Sequence, residues 1–262
     1  MTTDQIICTE DGSSGKIIFN NPQRHNAMSL EMWRDGTKAI QDLCSSDKIR
    51  CISLKGAGDK AFVAGADISK FGKERNSKDA IEEYNDSVRT FQETLIKVPI
   101  PTIAEINGYC IGGGLAIALC CDIRIAANNS RFAVPAAKLG LGYAANGIER
   151  LMQIVGPSFA MEIFYTARQF SSEEALTMGL VNRVLNNSEL TEYCDNYVNI
   201  IANNAPLTIK AVKAAVNENL KSYSDRNLEL CDEMVTACFN SKDYIEGQAA
   251  FMEKRKPVFT GT

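Results

Sequence analysis

The sequence is nearly without histidine, His25 being the only one, and it is poor in proline, with 7 among 262 residues. A lone histidine in Gln23-Arg24-His25-Asn26, with no serine or cysteine partner suggested nearby, gives little ground for a nucleophilic hydrolase. The nine cysteines (Cys8, Cys44, Cys51, Cys110, Cys120, Cys121, Cys194, Cys231 and Cys238) are odd in number and form no Cys-x-x-Cys. That lack speaks against a zinc ribbon, a thioredoxin-like motif or a disulfide scaffold, and reads as reduced core thiols in a cytosol. Positive charge is not in excess: 28 Lys+Arg stand against 32 Asp+Glu, a net charge of −4. Nucleic acid and an anionic membrane surface are therefore disfavoured as main partners. Long apolar runs are missing too. The charge-free stretch Ile106 to Cys121 is shorter than the ~20 residues of a spanning helix and holds four glycines. It reads as a buried strand, turn and helix. The opening Met1-Thr2-Thr3-Asp4-Gln5 has neither a basic n-region nor an apolar stretch, so a cytoplasmic, non-membrane protein is expected.

What is present is ordinary globular composition, 45% apolar and 23% charged, with no self-similarity at a repeat period. From Ile6 to about Ala126, β-rich runs alternate with helical patterns, which predicts an α/β layered core. The clearest strands are Gly15–Phe19, Arg50–Lys55 and Pro101–Glu105. Ser29 is placed to cap a helix through Met32, Trp33 and Ile40, and an i, i+3, i+4 stripe of Ile81, Tyr84, Val88, Phe91 and Leu95 predicts a second. After about Val184 the pattern is helical only: Glu189–Asn203, Pro206–Leu220, Asp225–Phe239 and Asp243–Lys254. Apolar helices gathered at one end pack over the core or against another subunit. No low-complexity linker divides the parts, so one domain spanning 1–262 is expected, with a core over about 1–185 and a helical layer over about 186–262.

Two small-residue windows carry the chemistry. In Asn107-Gly108-Tyr109-Cys110-Ile111-Gly112-Gly113-Gly114-Leu115-Ala116 a strand ends, three glycines turn the chain and an apolar helix begins. Free N–H groups and the positive end of the helix dipole can hold an anion or a developing oxyanion there, although tight strand-helix packing explains such glycines equally well. No Gly-Lys-Ser/Thr follows, which disfavours a phosphate loop. The second window, Ala64-Gly65-Ala66-Asp67-Ile68, is again a turn exposing amides after a strand. Two such turns on neighbouring strands can each aim one amide at a single carbonyl oxygen.

These motifs resemble the enoyl-CoA hydratase/isomerase (crotonase) superfamily along nearly the whole chain. The resemblance rests on Asn21-Pro22 with Asn26-Ala27, Ala64 to Ile68, Asn107-Gly108-Tyr109 with the triple glycine, Cys121-Asp122-Ile123, and Phe251 to Lys256. It implies a crotonase-like ββα spiral core with a C-terminal helical trimerisation layer, a homotrimer or dimer of trimers, and an acyl-CoA substrate. It also implies that the thioester carbonyl meets the amides of Ala66 and Gly113. CoA would then run along Arg24, Ala64, Ala66, Asp67 and Ile68, with Phe251 and Lys254 reaching it, often from a neighbouring subunit. No cofactor beyond the CoA of the substrate and no metal is implied.

The chain departs from the hydratase pattern at two points. Hydratases of this family carry glutamates two residues after the triple glycine and just after the proline that follows the next strand; here those places hold Ala116 and Ala136. A methyl group neither takes nor gives a proton. The nearest polar candidates are Lys138, Tyr143, Asn146 and Glu149. Tyr143 stands out because Pro-Ala-x-x-Leu-Gly-x-x-Tyr from Pro135, together with Asp243-Tyr244-x-Glu246-Gly247 and Glu253 to Pro257, resembles the methylmalonyl-CoA decarboxylase branch. That branch has histidine at Ala66 and glutamate at Ala116. Tyr143 also reads as a packed aromatic with a bonded hydroxyl, Asp67 as ordering its own turn, Asp122 as bonding backbone, and Glu149-Arg150 as an exposed helical pair. Enolate chemistry on an acyl-CoA, decarboxylation of a malonyl-type thioester, and a non-catalytic CoA-binding protein all remain open at this point.

Overall fold

The structure is a computed structural model that describes residues 5–74 and 76–262; the side chains of Phe71, Lys73 and Asn146 lie outside the description, the last being one of the polar candidates above. β1 (Ile6–Asp11) and β2 (Ser14–Phe19) form an antiparallel hairpin. α1 (Leu30–Cys44) starts at Ser29, whose extended backbone and side-chain oxygen, 3.3 Å from the Met32 amide, supply the expected cap. β3 (Cys51–Gly56), β4 (Ala61–Val63) and the single turn α2 (Phe71–Glu74) follow. α3 (Lys78–Ile96) buries Tyr84, Phe91 and Leu95. Ile81, on the same predicted stripe, is exposed, so this face is buried only from the second turn onward.

Next come β5 (Thr102–Ile106), β6 (Tyr109–Ile111), α4 (Gly113–Cys120), β7 (Ile123–Ala127) and β8 (Arg131–Ala133). α5 (Ala145–Thr166) is broken at Gly156, φ 77° and ψ 166°, ahead of Pro157. β9 (Phe170–Ser171), α6 (Ser172–Thr177) and β10 (Arg183–Leu185) complete the core. The remainder is helical, as expected: α7 (Leu190–Ala202), α8 (Pro206–Asn219), α9 (Leu228–Phe239) and α10 (Lys242–Glu253).

The strands form two sheets, one ordered β1-β2-β3-β5-β7-β10 and one ordered β4-β6-β8-β9. Each sheet is parallel except at the β1-β2 and β8-β9 pairs. The chain climbs by repeating one unit: a strand in the large sheet, a short strand in the small one, then a helix. β3-β4-α3, β5-β6-α4 and β7-β8-α5 are three such turns, which is the expected ββα spiral. The main core fills the spiral with Trp33, Phe62, Phe91, Ile117, Phe132 and their neighbours. On the outer face of the large sheet, α7 lays Leu190, Cys194 and Val198 on Cys51, Ile103 and Ile125.

Five cysteines are buried, whereas Cys8, Cys231 and Cys238 are half-buried and Cys44 is exposed, so the expectation of core thiols holds for part of the set. Among the described residues no helix is long and apolar enough to cross a membrane.

Candidate active site

The site is built where the C-terminal ends of β4 and β6 meet α4. Asn26, wholly buried, fixes the approach: its Oδ1 accepts the Asn21 amide at 2.9 Å, and its Nδ2 donates to the carbonyls of Ala57 at 3.0 Å and Ala61 at 2.7 Å. The chain then runs alongside the 64–67 segment. The Ala64 amide donates to His25 O at 3.0 Å, the Met28 amide to Gly65 O at 2.8 Å, and the Asp67 amide to Met28 O at 2.9 Å. In such a parallel bridge Met28 bonds on both sides of Ala66, which leaves the N–H and C=O of Ala66 on the opposite edge of its segment.

α4 packs directly on this segment. A Cβ on Gly114 would stand 1.9 Å from Val63 O, so only glycine allows the approach. Gly112 turns the chain with φ 54° and ψ −112°, a conformation closed to L side chains, and its amide donates to Ala133 O at 2.8 Å. Gly113 is the first helical residue, so its N–H lies outside the helical ladder. A Cβ built on it would sit 3.8 Å from the Gly65 backbone and 3.6 Å from Trp33 Cζ2. Among the described residues neither the Ala66 nor the Gly113 N–H has a hydrogen-bond partner. Gly114 thus serves close packing, and the Gly113 N–H, without a partner among the described residues, stands next to the Ala64–Ala66 turn.

Ala116 stands one turn along α4, half-buried, and Ala136 is buried in the 3₁₀ turn Pro135–Leu139 after β8. That turn is next to the glycines, with Pro135 Cδ 4.0 Å from the Cβ position of Gly112. Lys138 is exposed on it. Tyr143 packs its ring edge-on to Phe164, centroids 4.8 Å apart, and over Gly147. Burial pushes its phenol above the ordinary value, with Cys120 adding to the shift, and the hydroxyl has no hydrogen-bond partner among the described residues. It is a packed aromatic, as one reading expects.

Asp67 is 6% exposed and its Oδ1 accepts both the amide and the hydroxyl of Ser69, at 3.1 and 2.6 Å, so the side chain orders its own turn. Ile68 beside it is 69% exposed. Arg24 ends the exposed turn Pro22–Arg24, and the His25 ring lies 5.8 Å from that of Tyr109. Phe251 lies on α10 and Lys254 caps its C-terminal end in the helical layer, and Phe251 is 83% exposed. The single chain brings together Ala64, Ala66, Gly113, Ala116 and Ala136 and leaves Phe251 and Lys254 on a separate layer.

Glu149 and Arg150 are not the exposed pair that was expected. Glu149 is exposed, while the Arg150 side chain turns inward and its Nε donates to Leu119 O at 3.0 Å, because the last carbonyls of α4 need donors. Arg124, missed in the sequence, does the same from within the core: Nη1 reaches Cys121 O at 2.7 Å and Ala118 O at 3.4 Å, and Nε reaches Leu180 O at 2.8 Å. Burial lowers its pKa from the ordinary arginine value. Asp122 bonds backbone as expected, accepting the Thr102 amide at 2.8 Å, and also Lys213 Nζ at 2.7 Å.

The fold and this site define a class, and comparison with known proteins gives it a family. The family model for Enoyl-CoA hydratase/isomerase matches residues 9–262. A short-chain-enoyl-CoA hydratase of Clostridium acetobutylicum is 34% identical over 256 residues, covering 98% of this chain and 97% of that protein. A crotonyl-CoA hydratase of Syntrophomonas wolfei is 33% identical over 261 residues, covering 99% of each. The crystal structure of an enoyl-CoA hydratase/carnithine racemase from Magnetospirillum magneticum superposes with a TM-score of 0.94 at 35% identity, covering 99% of this chain and 97% of that one. This chain belongs to the enoyl-CoA hydratase/isomerase family, the crotonase superfamily.

Proposed function

We propose that this protein is an acyl-CoA thioester enzyme that stabilises a thioester enolate between the backbone amides of Ala66 and Gly113. The observation that carries the reading is the pair of unpartnered N–H groups on two backbone segments in contact, with Ala66 turned away from Met28 and Gly113 at the start of α4. As Cα of a thioester gains an electron pair, charge passes to the carbonyl oxygen, and each preorganised donor is worth about 3 kcal/mol to that state. The partial positive charge of the α4 N-terminus adds to the field. CoA, carried by the substrate, is the only cofactor. It runs along Arg24, Ala64, Asp67 and Ile68, with Phe251 and Lys254 supplied by a neighbouring copy in a homotrimer or dimer of trimers.

The amides identify the intermediate and leave the reaction to the groups near Cα. Ala116 and Ala136 hold no proton and accept none, so two-carboxylate activation of water is not available to this chain. Tyr143, kept protonated by its burial, can donate to an intermediate and does not act as a base near neutral pH. One reaction needs no base at all. In a malonyl-type thioester the bond from Cα to the carboxylate breaks, its electron pair becomes the enolate, carbon dioxide leaves, and a proton from water or Tyr143 restores Cα–H. The two alanines favour this second reading, because they place no carboxylate to repel that of the substrate.

The test is turnover of crotonyl-CoA and of methylmalonyl-CoA by the purified protein, with products identified by mass. Slow or absent hydration with loss of carbon dioxide is the expected result. Rapid crotonyl-CoA hydration would overturn the role given to the two alanines. Tight acyl-CoA binding with no turnover of any thioester would make the protein a non-catalytic CoA binder.

A further inference from the structure

The two proposed donors sit on different segments, Ala66 on the turn after β4 and Gly113 on α4, and their separation must be held by something. One side chain touches the Gly113 turn and is hydrogen-bonded to a neighbour that holds the Ala66 side. Trp33 on α1 is buried, and its Cζ2 lies 3.6 Å from the Cβ position of Gly113. Its other edge is fixed: Nε1 donates to the Tyr84 hydroxyl at 3.0 Å, and the ring stands edge-on to Phe91 with centroids 5.2 Å apart. The Tyr84 hydroxyl in turn donates to Met28 O at 3.4 Å, the same carbonyl that accepts the Asp67 amide at 2.9 Å. Met28 is the bridge partner of Ala66. A continuous path thus runs from the Gly113 turn through the indole to Tyr84, to Met28 and to the strand edge that carries the Ala66 amide.

We infer that Trp33 and Tyr84 are positioning residues that set the spacing and direction of the Ala66 and Gly113 amides; this rests on the two-amide reading above. Both side chains are almost wholly buried, Trp33 1% and Tyr84 2% exposed, so they act through the backbone they hold. Hydrogen-bond donors aimed at a developing oxyanion lose their effect when displaced by a fraction of an ångström, and a shift of about 1 Å can cost about 100-fold. Ordinary core packing would hold α1 in place without a polar chain. Here a buried indole N–H donates to a buried phenol, which in turn donates to the Met28 carbonyl beside Ala66. Trp33 is also the only tryptophan among the 262 residues, so its fluorescence reports on this contact without interference.

The test uses a 4-dialkylaminocinnamoyl-CoA, a push-pull thioester whose absorption moves to longer wavelength when its carbonyl oxygen accepts hydrogen bonds. The wild-type protein is expected to red-shift the bound probe and to change Trp33 emission on binding. Tyr84→Phe keeps the ring and removes the hydroxyl. It should cut the shift per bound probe by about half or more while the dissociation constant changes less than about threefold, a split that a general loss of structure would not give. Trp33→Phe, which removes the indole N–H and the Gly113 contact, serves as the second variant should Tyr84→Phe fail to fold, and should reduce the shift further. A wild-type shift that survives unchanged in either folded variant overturns the brace and leaves the two-amide reading standing. A wild-type complex with no shift overturns both.

Discussion

At the scale of single residues, the account turns on backbone atoms. Gly113→Pro removes this N–H, because proline has none and is well suited to a first helical position, and it puts the ring Cδ where the amide hydrogen stood. Its Cβ would meet Trp33 and Gly65 at ordinary contact distances of 3.6 and 3.8 Å. The folded variant should lose about 100- to 1000-fold in kcat/KM for whichever thioester is turned over, measured beside circular dichroism. Replacing Ala116 and Ala136 together by glutamate should raise crotonyl-CoA hydration by at least about 100-fold, the lower range of acid-base contributions. An unchanged rate in a folded double variant would contradict their placement at Cα. Since burial holds Tyr143 protonated, the wild-type kcat/KM should lack the bell of an acid-base pair and stay flat between about pH 6 and 9. A bell would contradict this and assign the proton transfers to a titrating acid-base pair. These residues were unevenly legible. The two small-residue windows and the family resemblance pointed to Ala66, Gly113 and both alanines. Trp33, Tyr84 and Arg124 read only as core or charge, because what distinguishes them is a partner far away in the chain.

At the scale of elements, α4 is the piece on which the site depends. It has only eight residues, with an apolar sequence and no polar face, so it gains little from propensity alone. Its N-terminus is clamped on Val63, and its C-terminal carbonyls are taken by Arg124 and Arg150. These two cations sit at the negative end of the helix dipole and leave the positive end free for a ligand. Arg124→Leu strips donors from Ala118, Cys121 and Leu180 and should cost about 2–4 kcal/mol. In a chain of this size that corresponds to a fall of about 4–16 °C in Tm, read by calorimetry. Long periodic elements such as α1, α3 and α8 were visible in the sequence. The small sheet was not, since β4, β6 and β8 have three residues each and give no period to read.

At the scale of the whole molecule, the C-terminal layer is tied to the core by polar anchors and leaves apolar surface outward. Lys213 reaches Asp122 and Ile100 O, and Arg50 reaches Ala202 O and Phe259 O. Val212, Val235, Phe239, Ile245, Phe251 and Met252 remain exposed. A homo-oligomer, as proposed above, would cover such a surface. The protein should sediment at three or six times 28.7 kDa, and Val235→Lys with Phe239→Glu should yield smaller species that bind CoA more weakly. A monomeric wild type would remove the reason to bring Phe251 and Lys254 to a neighbour's site. The helical layer was legible from periodicity, but its exposure was not, because a helix face looks the same in sequence whether its partner is the same chain or another.

The most direct measurement of the central claim is the infrared band of an acyl-CoA labelled with carbon-13 at its thioester carbonyl. The account predicts a shift to lower frequency on binding to the wild-type protein and a return toward the solution value in Gly113→Pro. A bound carbonyl that vibrates as in water, or a shift that Gly113→Pro leaves intact, would contradict it.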